Sequence, residues 1–149
     1  MVIGIQKGFT LIELLIVMTV IAIITLIAAG ISVGFFSRNQ LADQSEQLIS
    51  VLRVAQSRTV AGYADGSWGV HLTSSTYTLF QGANYAGRST AYDEVHTLPD
   101  GITASGLSDV IFTIRTGETS NTGTITLTDV ASGITKTITI NANGRVTAL

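Results

Sequence analysis

Between Lys7 and Arg38 the chain carries a single charge, Glu13, and it stands near the start of an apolar run from Phe9 to Ile31. Leu, Ile, Val, Ala and Met make up nearly all of that run, with Thr10, Thr19, Thr25 and Gly30 as mild interruptions. As a helix it is long enough to cross a bilayer, which takes ~20 apolar residues. An ionisable side chain in hydrocarbon costs roughly 2.5 to 3.5 kcal/mol on insertion scales and needs a partner. Any fold for this chain must therefore find both a home for the run and a use for Glu13. A removable secretory signal, cut near Ala28-Ala29-Gly30, fits poorly, because the run exceeds a ~7 to 15-residue apolar region and the segment before it is only weakly basic. A plain single-pass anchor accounts for the length, but not for Glu13 or its spacing from Gly8.

Past Gly34 the composition changes, and Leu41, Leu48, Leu52, Ala55 and Thr59 recur at helical spacing with Asp43, Glu46, Arg53 and Arg58 between them. That pattern predicts one helix from about Phe9 to Ala61, amphipathic in its second half, with a bend or local melting at Gly30 and Gly34. Gly62 and Asp65-Gly66 end it. From Trp68 the period becomes two. Trp68, Val70 and Leu72 lead through Ser74-Ser75 to Tyr77-Thr78-Leu79-Phe80, a hairpin. Residues 82–100 read as an irregular loop with a short strand near Val95. Val110, Phe112 and Ile114, then Ile125 and Leu127, then Ile134, Ile138 and Ile140 alternate with Thr-rich partners as half-buried antiparallel strands. Asn143-Gly144 reads as a tight turn with positive backbone angles before a last strand at Arg145 to Thr147. The fold class is α+β, with a long N-terminal helix on a C-terminal antiparallel sheet. Four segments follow: 1–8 as a leader, 9–31 and 32–62 as the transmembrane and amphipathic halves of the helix, and 63–149 as the β domain.

Composition narrows the chemistry. From Arg38 onward there are seven basic and nine acidic residues, so no basic footprint for nucleic acid or anionic lipid exists. Cysteine is absent, which removes disulfides, thiol nucleophiles and Cys-based metal sites. His71 and His96 are the only histidines, with no hydrolase elbow or zinc-protease motif around them. Asp93 and Glu94 would point to opposite faces of a strand. His96 with Asp93 or Glu94 is the one metal arrangement to weigh, and scattered charges on an exposed loop are the commoner reading. Trp68 and Tyr77 read as packing and not as a ligand platform. The expectation is a non-enzyme without cofactor or metal.

Gly8-Phe9-Thr10-Leu11-Ile12-Glu13 resembles the signature of the type IV pilin and pseudopilin family. The resemblance implies that a prepilin peptidase cuts between Gly8 and Phe9, that Phe9 is then N-methylated, and that Glu13 pairs with the N-terminal ammonium of a neighbouring subunit as filaments assemble. Two charges that are each costly in lipid attract strongly at low dielectric, which suits such a pair. Leu48 through Arg58, Trp68-Gly69-Val70-His71, the Tyr-x-Leu-Phe strand and Asn143-Gly144-Arg145-Val146 are similar to the GspH/FimT-type minor pilins and pseudopilins. That similarity implies a subunit held in the bacterial inner membrane by lipid, with its C-terminal domain in the periplasm. It later enters a pseudopilus or surface pilus, at or near the tip, through other pilins or pseudopilins and an inner-membrane assembly platform. Many pilins staple their C-terminal region with a disulfide. This chain cannot, and the stretch from Phe112 onward is expected to hold by sheet packing alone. A second reading is a DNA-uptake minor pilin, for which Gly144-Arg145-Val146-Thr147 corresponds to a Gly-Arg-x-Arg motif lacking its second arginine. Arg145 is then the contact, with Lys136 and Arg115 as candidate neighbours.

Overall fold

The computed structural model describes residues 9–148, with the side chains of 27–37 outside the description; the leader expectation and Gly8 fall outside it. The chain divides into two units, one ending at Phe36 and one beginning at Ser37. Helix α1 is assigned from Leu11 to Val60. Among the described residues no helix is long and apolar enough to cross a membrane. Gly30 and Gly34, where a bend is expected, lie in the stretch without described side chains.

In the second unit, the face of α1 formed by Leu41, Ser45, Leu48, Leu52, Ala55 and Thr59 is buried, at the three- and four-residue spacing of one helical face. The expected Leu, Ala and Thr positions are all on it. Ser45 fills the remaining position and satisfies its hydroxyl on the Ala42 carbonyl at 2.7 Å. Against this face pack eight strands, β1 (Trp68–Leu72), β2 (Thr76–Gln81), β3 (Ser89–Thr97), β4 (Ile102–Gly106), β5 (Asp109–Ile111), β6 (Gly123–Asp129), β7 (Thr135–Ile140) and β8 (Val146–Ala148). They form two antiparallel sheets, ordered β3-β2-β1-β5 and β4-β6-β7-β8. The inner faces of both sheets and the helix share one hydrophobic cluster.

The helix stops at Gly62, whose φ of 66° is the left-handed closure that glycine adopts without strain. Ala64 and Asp65 are also left-handed, at φ 56° and 48°, which costs roughly 1 to 2 kcal/mol per non-glycine residue. Three side chains hold the reversal in place. The Trp68 indole N–H donates to the Tyr63 carbonyl at 2.9 Å, the Gln81 amide donates to the Ala64 carbonyl at 3.1 Å, and the Thr59 hydroxyl accepts the Trp68 backbone N–H at 2.9 Å.

Three expectations need correction, and one strand goes unannounced. Residues 82–100 contain a nine-residue strand, β3, and not a loop with a short strand. It lies at a sheet edge with mostly exposed side chains and a register shift opposite Leu79 to Gln81, so no alternation marks it in the sequence. β4 is a strand the sequence does not announce, since Ser105 and Gly106 dilute its pattern. The Val110-Phe112-Ile114 series ends early: β5 stops at Ile111, Phe112 is buried, and Ile114 is 41% exposed in a turn. In that turn Thr113 N–H bonds the Glu118 carbonyl and Gly117 N–H the Thr113 carbonyl. At the last hairpin, Gly144 alone has positive φ, at 71°. Its N–H bonds the Asn141 carbonyl at 2.8 Å and the Asn141 N–H bonds the Arg145 carbonyl at 3.1 Å. The loop is therefore a three-residue turn closed by a glycine bulge, and not a two-residue Asn-Gly turn.

Nor does the region after Phe112 rest on sheet packing alone. The Gln56 amide donates to the Gly117 carbonyl at 2.9 Å, and the Thr119 N–H bonds the Ala142 carbonyl at 2.9 Å. A Cβ on Gly144 would collide with the Gly117 carbonyl oxygen and the Gln56 amide. Gly144→Ala should therefore destabilise the domain beyond its backbone strain, lowering the thermal midpoint by more than Gly133→Ala, which meets nothing.

Tyr77 is buried at the core edge, and that burial holds its phenol above the usual pKa. The unfolded chain then loses that proton more readily. Stability should be complete below the ordinary tyrosine pKa and fall as pH rises past ~10. Chemical denaturation at alkaline pH should show this loss reduced in Tyr77→Phe.

Because every apolar stripe past Ser37 meets a sheet or helix face, a chain starting at Arg38 should fold as a soluble α+β domain. Circular dichroism and size-exclusion chromatography check it. Aggregation would mean that the amphipathic half of α1 needs another subunit.

Candidate assembly site

The first turn of α1 is built on Thr10. Its hydroxyl accepts the Glu13 N–H at 3.3 Å, and its carbonyl accepts the Leu14 N–H at 3.2 Å. Thr10 is therefore the N-cap, and Thr10-Leu11-Ile12-Glu13 is the spacing of a capping box. Glu13 also stands in the first turn, where the helix dipole favours a carboxylate by about 0.3 to 1 kcal/mol. Its charge has no ion-pair partner among the described residues, and it is exposed. Phe9, just ahead of the cap, is 85% exposed. The charge of Glu13 stands out in the sequence and the capping role of Thr10 does not, although the Thr-x-x-Glu spacing is a signal for it.

From Leu11 to Leu26 every large apolar side chain of α1 is exposed, on all sides of the helix. A helix apolar all round has to be buried in something outside itself. Its two hydroxyls are already prepared for that. Thr19 donates to the Ile16 carbonyl at 2.8 Å and Thr25 to the Ile21 carbonyl at 2.7 Å, so neither would enter an apolar phase unsatisfied.

The other candidate residues do not converge. Arg88 holds Asp93 at 2.8 Å and Arg58 holds Glu94 at 2.6 Å. His96 stacks on Tyr77, its ring 4.9 Å away. His71 Nδ1 meets Asp109 at 2.8 Å. No group of side chains among the described residues has a metal-binding arrangement. Trp68 and Tyr77 are both buried. Arg145 is exposed beside the Gly144 bulge, in a loop that touches the 113–118 turn carrying Arg115. Lys136 is not their neighbour. It sits four residues along β7 from the Ile140–Val146 pair that Arg145 adjoins, or about 14 Å.

Thr10→Ala should remove the cap while leaving Glu13 in place. The expected result is fraying of the first turn, seen as faster amide exchange at Glu13 and Leu14, with a loss of about 1 kcal/mol of local helix stability.

Residues 4–29 match the prokaryotic N-terminal methylation motif. The fold is similar to the solved structure of the minor pseudopilin EpsH from the type 2 secretion system of Vibrio cholerae, with a TM-score of 0.56 at 12% identity over 74% of this chain and 96% of that one. The chain thus joins a match to the methylation motif at its start to a fold similar to that of a minor pseudopilin behind it.

Proposed function

We propose that the protein is a minor filament subunit of the GspH/FimT type, cut between Gly8 and Phe9 by a prepilin peptidase and N-methylated at Phe9. The observation that carries this reading is the first unit of α1: apolar on every side, capped by Thr10, and marked by one carboxylate, Glu13, that has no ion-pair partner among the described residues. Such a helix fits two successive environments. In the inner membrane, residues 9–31 rest in lipid, with the C-terminal domain in the periplasm. In a filament the same surface packs on other pilins or pseudopilins, and Glu13 meets the ammonium of a neighbouring Phe9. The assembly platform of the inner membrane moves it between the two. The role is structural and not catalytic, in a type II secretion pseudopilus or a type IV pilus, in the complex that starts or tips the filament.

Intact mass after expression with a prepilin peptidase tests the first step. The mature chain should begin at N-methylated Phe9; a start near Ile31 would make the run a removable signal and end the filament reading. Glu13→Ala should leave the processed protein in the membrane at normal levels while reducing its incorporation into filaments or its crosslinking to partner pseudopilins.

The DNA-uptake reading has less behind it. Arg145 and Arg115 lie on touching loops, but Lys136 is remote and Glu118 shares the turn with Arg115. Phosphate binding draws on clustered cations whose counterions are released. A mobility-shift assay near physiological salt should therefore show no more than weak, nonspecific binding of duplex DNA by the C-terminal domain. A salt-sensitive complex abolished by Arg145→Ala would favour the uptake pilin instead.

A further inference from the structure

β3 is an edge strand, and its free edge is of the kind that accepts another strand. The Leu98 N–H bonds the Ser75 carbonyl at 2.8 Å, and Thr97, His96, Val95 and Glu94 face Thr76, Tyr77, Thr78 and Leu79 in turn. Because hydrogen-bonded pairs alternate along an antiparallel ladder, His96 and Glu94 direct their backbone groups to β2. Val95 and Thr97 direct theirs away from the sheet, where no strand follows among the described residues.

Native edges are commonly blunted by charges, proline or bulges. Here the register shift lies beyond Glu94, and the ladder from Glu94 to Thr97 is regular. The two outward-directed residues are uncharged and β-branched, and Val95 is 64% exposed. The nearby acids Asp93 and Glu94 are each held by an arginine.

Beside this edge, on the helix side, lies a cavity of about 310 Å³ lined by Gln47, Ser50 and Val51 of α1, Tyr77 of β2 and His96 of β3. His96 carries a buried ring nitrogen, Nε2, with no hydrogen-bond partner among the described residues, and buried polar groups are rarely left so. A strand added alongside β3 would run about 4.8 Å away, and its residue opposite His96 would point to the same side as His96. That side holds the cavity. A free ladder for the main chain, with a pocket for one alternate side chain, is the arrangement by which sheets capture extended peptides.

We propose that β3 receives an extended segment of a partner protein as an added strand. The residue of that segment opposite His96 is bulky with a polar end, tyrosine or glutamine in character, and enters the cavity. Charge selects the flanks. Asp43 precedes the cavity-lining Gln47 by one helical turn and Asp100 follows Thr97 by three residues, and both are exposed, so the segment carries lysine or arginine at its flanks. Capture by this edge does not depend on the assembly role proposed for Glu13.

The probe is a short synthetic peptide alternating threonine and valine around a central tyrosine, with lysines at its ends, added to the full-length chain in detergent micelles. Amide exchange at Val95 and Thr97 should slow by roughly tenfold or more, with no change in β6 or β7. The same peptide with alternate backbone amides N-methylated should give no protection, and glutamates in place of the lysines should weaken it. Val95→Pro, tolerable where an N–H faces outward at an edge, should abolish binding. Val51→Trp should fill the cavity and weaken the tyrosine peptide, while sparing one with central alanine. Should Val95→Pro disturb the fold, Val51→Trp decides alone. Absence of protection at Val95 and Thr97 with saturating peptide, or equal binding of the N-methylated form, overturns the proposal.

Discussion

One face of α1, from Leu41 to Thr59, is the surface on which both sheets are built. Each sheet turns one apolar side to it. β1 contributes Trp68, Val70 and Leu72, β6 contributes Ile125 and Leu127, and β7 contributes Ile138 and Ile140. Without the helix these sides would have only each other. The chain crosses between the sheets three times, most abruptly within Gly106 to Ser108, where Leu107 N–H bonds the Thr124 carbonyl and the Ser108 carbonyl accepts the Leu72 N–H. Gly106 has φ of 103°, and a Cβ there would strike the Thr124 carbonyl oxygen. A residue without a side chain here therefore lets β4 close on β6 before the chain passes on to β5.

What is legible in the sequence follows from which residues meet a single solvent. The helix stripe and the strands β6 and β7 each have one wet and one dry side, and the periodicity of their residues carries that information directly, whereas β1 and β2 are covered on nearly all of both sides. β3 is wet on most of its length and so has no period to read. The split into two sheets is hidden as well, because alternation marks a strand's faces and says nothing of its neighbours. For the candidate site, Gly8 to Glu13 is legible as a signature, whereas the Thr10 cap is concealed by the more conspicuous charge of Glu13.

That cap alters how Glu13 is to be understood. A carboxylate in the first turn has two claims on it, the dipole of its own helix and a cation supplied from outside. The first holds whether the subunit is alone or assembled. In the assembly proposed above, the second arises only when a neighbouring N-terminus arrives. Interactions common to both states cannot drive the passage between them, since only differential affinity shifts an equilibrium. Hence capping belongs to the stability of the helix, and any part that Glu13 takes in the proposed assembly would come from the second claim.

A similar division holds on the far side of the β1–β2–β3 sheet, away from α1. Phe80 is fully buried yet lies outside the main core. It rests over Gly69, where a Cβ would come within 2.9 Å of its ring. Tyr85 meets Phe80 edge-on, stacks on His71 with ring centres 3.7 Å apart, and carries the Arg88 guanidinium 3.8 Å from its own ring centre. Asp109 and Asp93 anchor the two ends of this stack. A chain without cysteine thus fastens its 82–88 loop by aromatic and cation contacts, each worth roughly 0.5 to 2 kcal/mol. These contacts are individually weak and share members. Loss of Tyr85 would undo three of them at once, whereas loss of either acid would loosen one end, so the ring at the centre sets the stability of the loop.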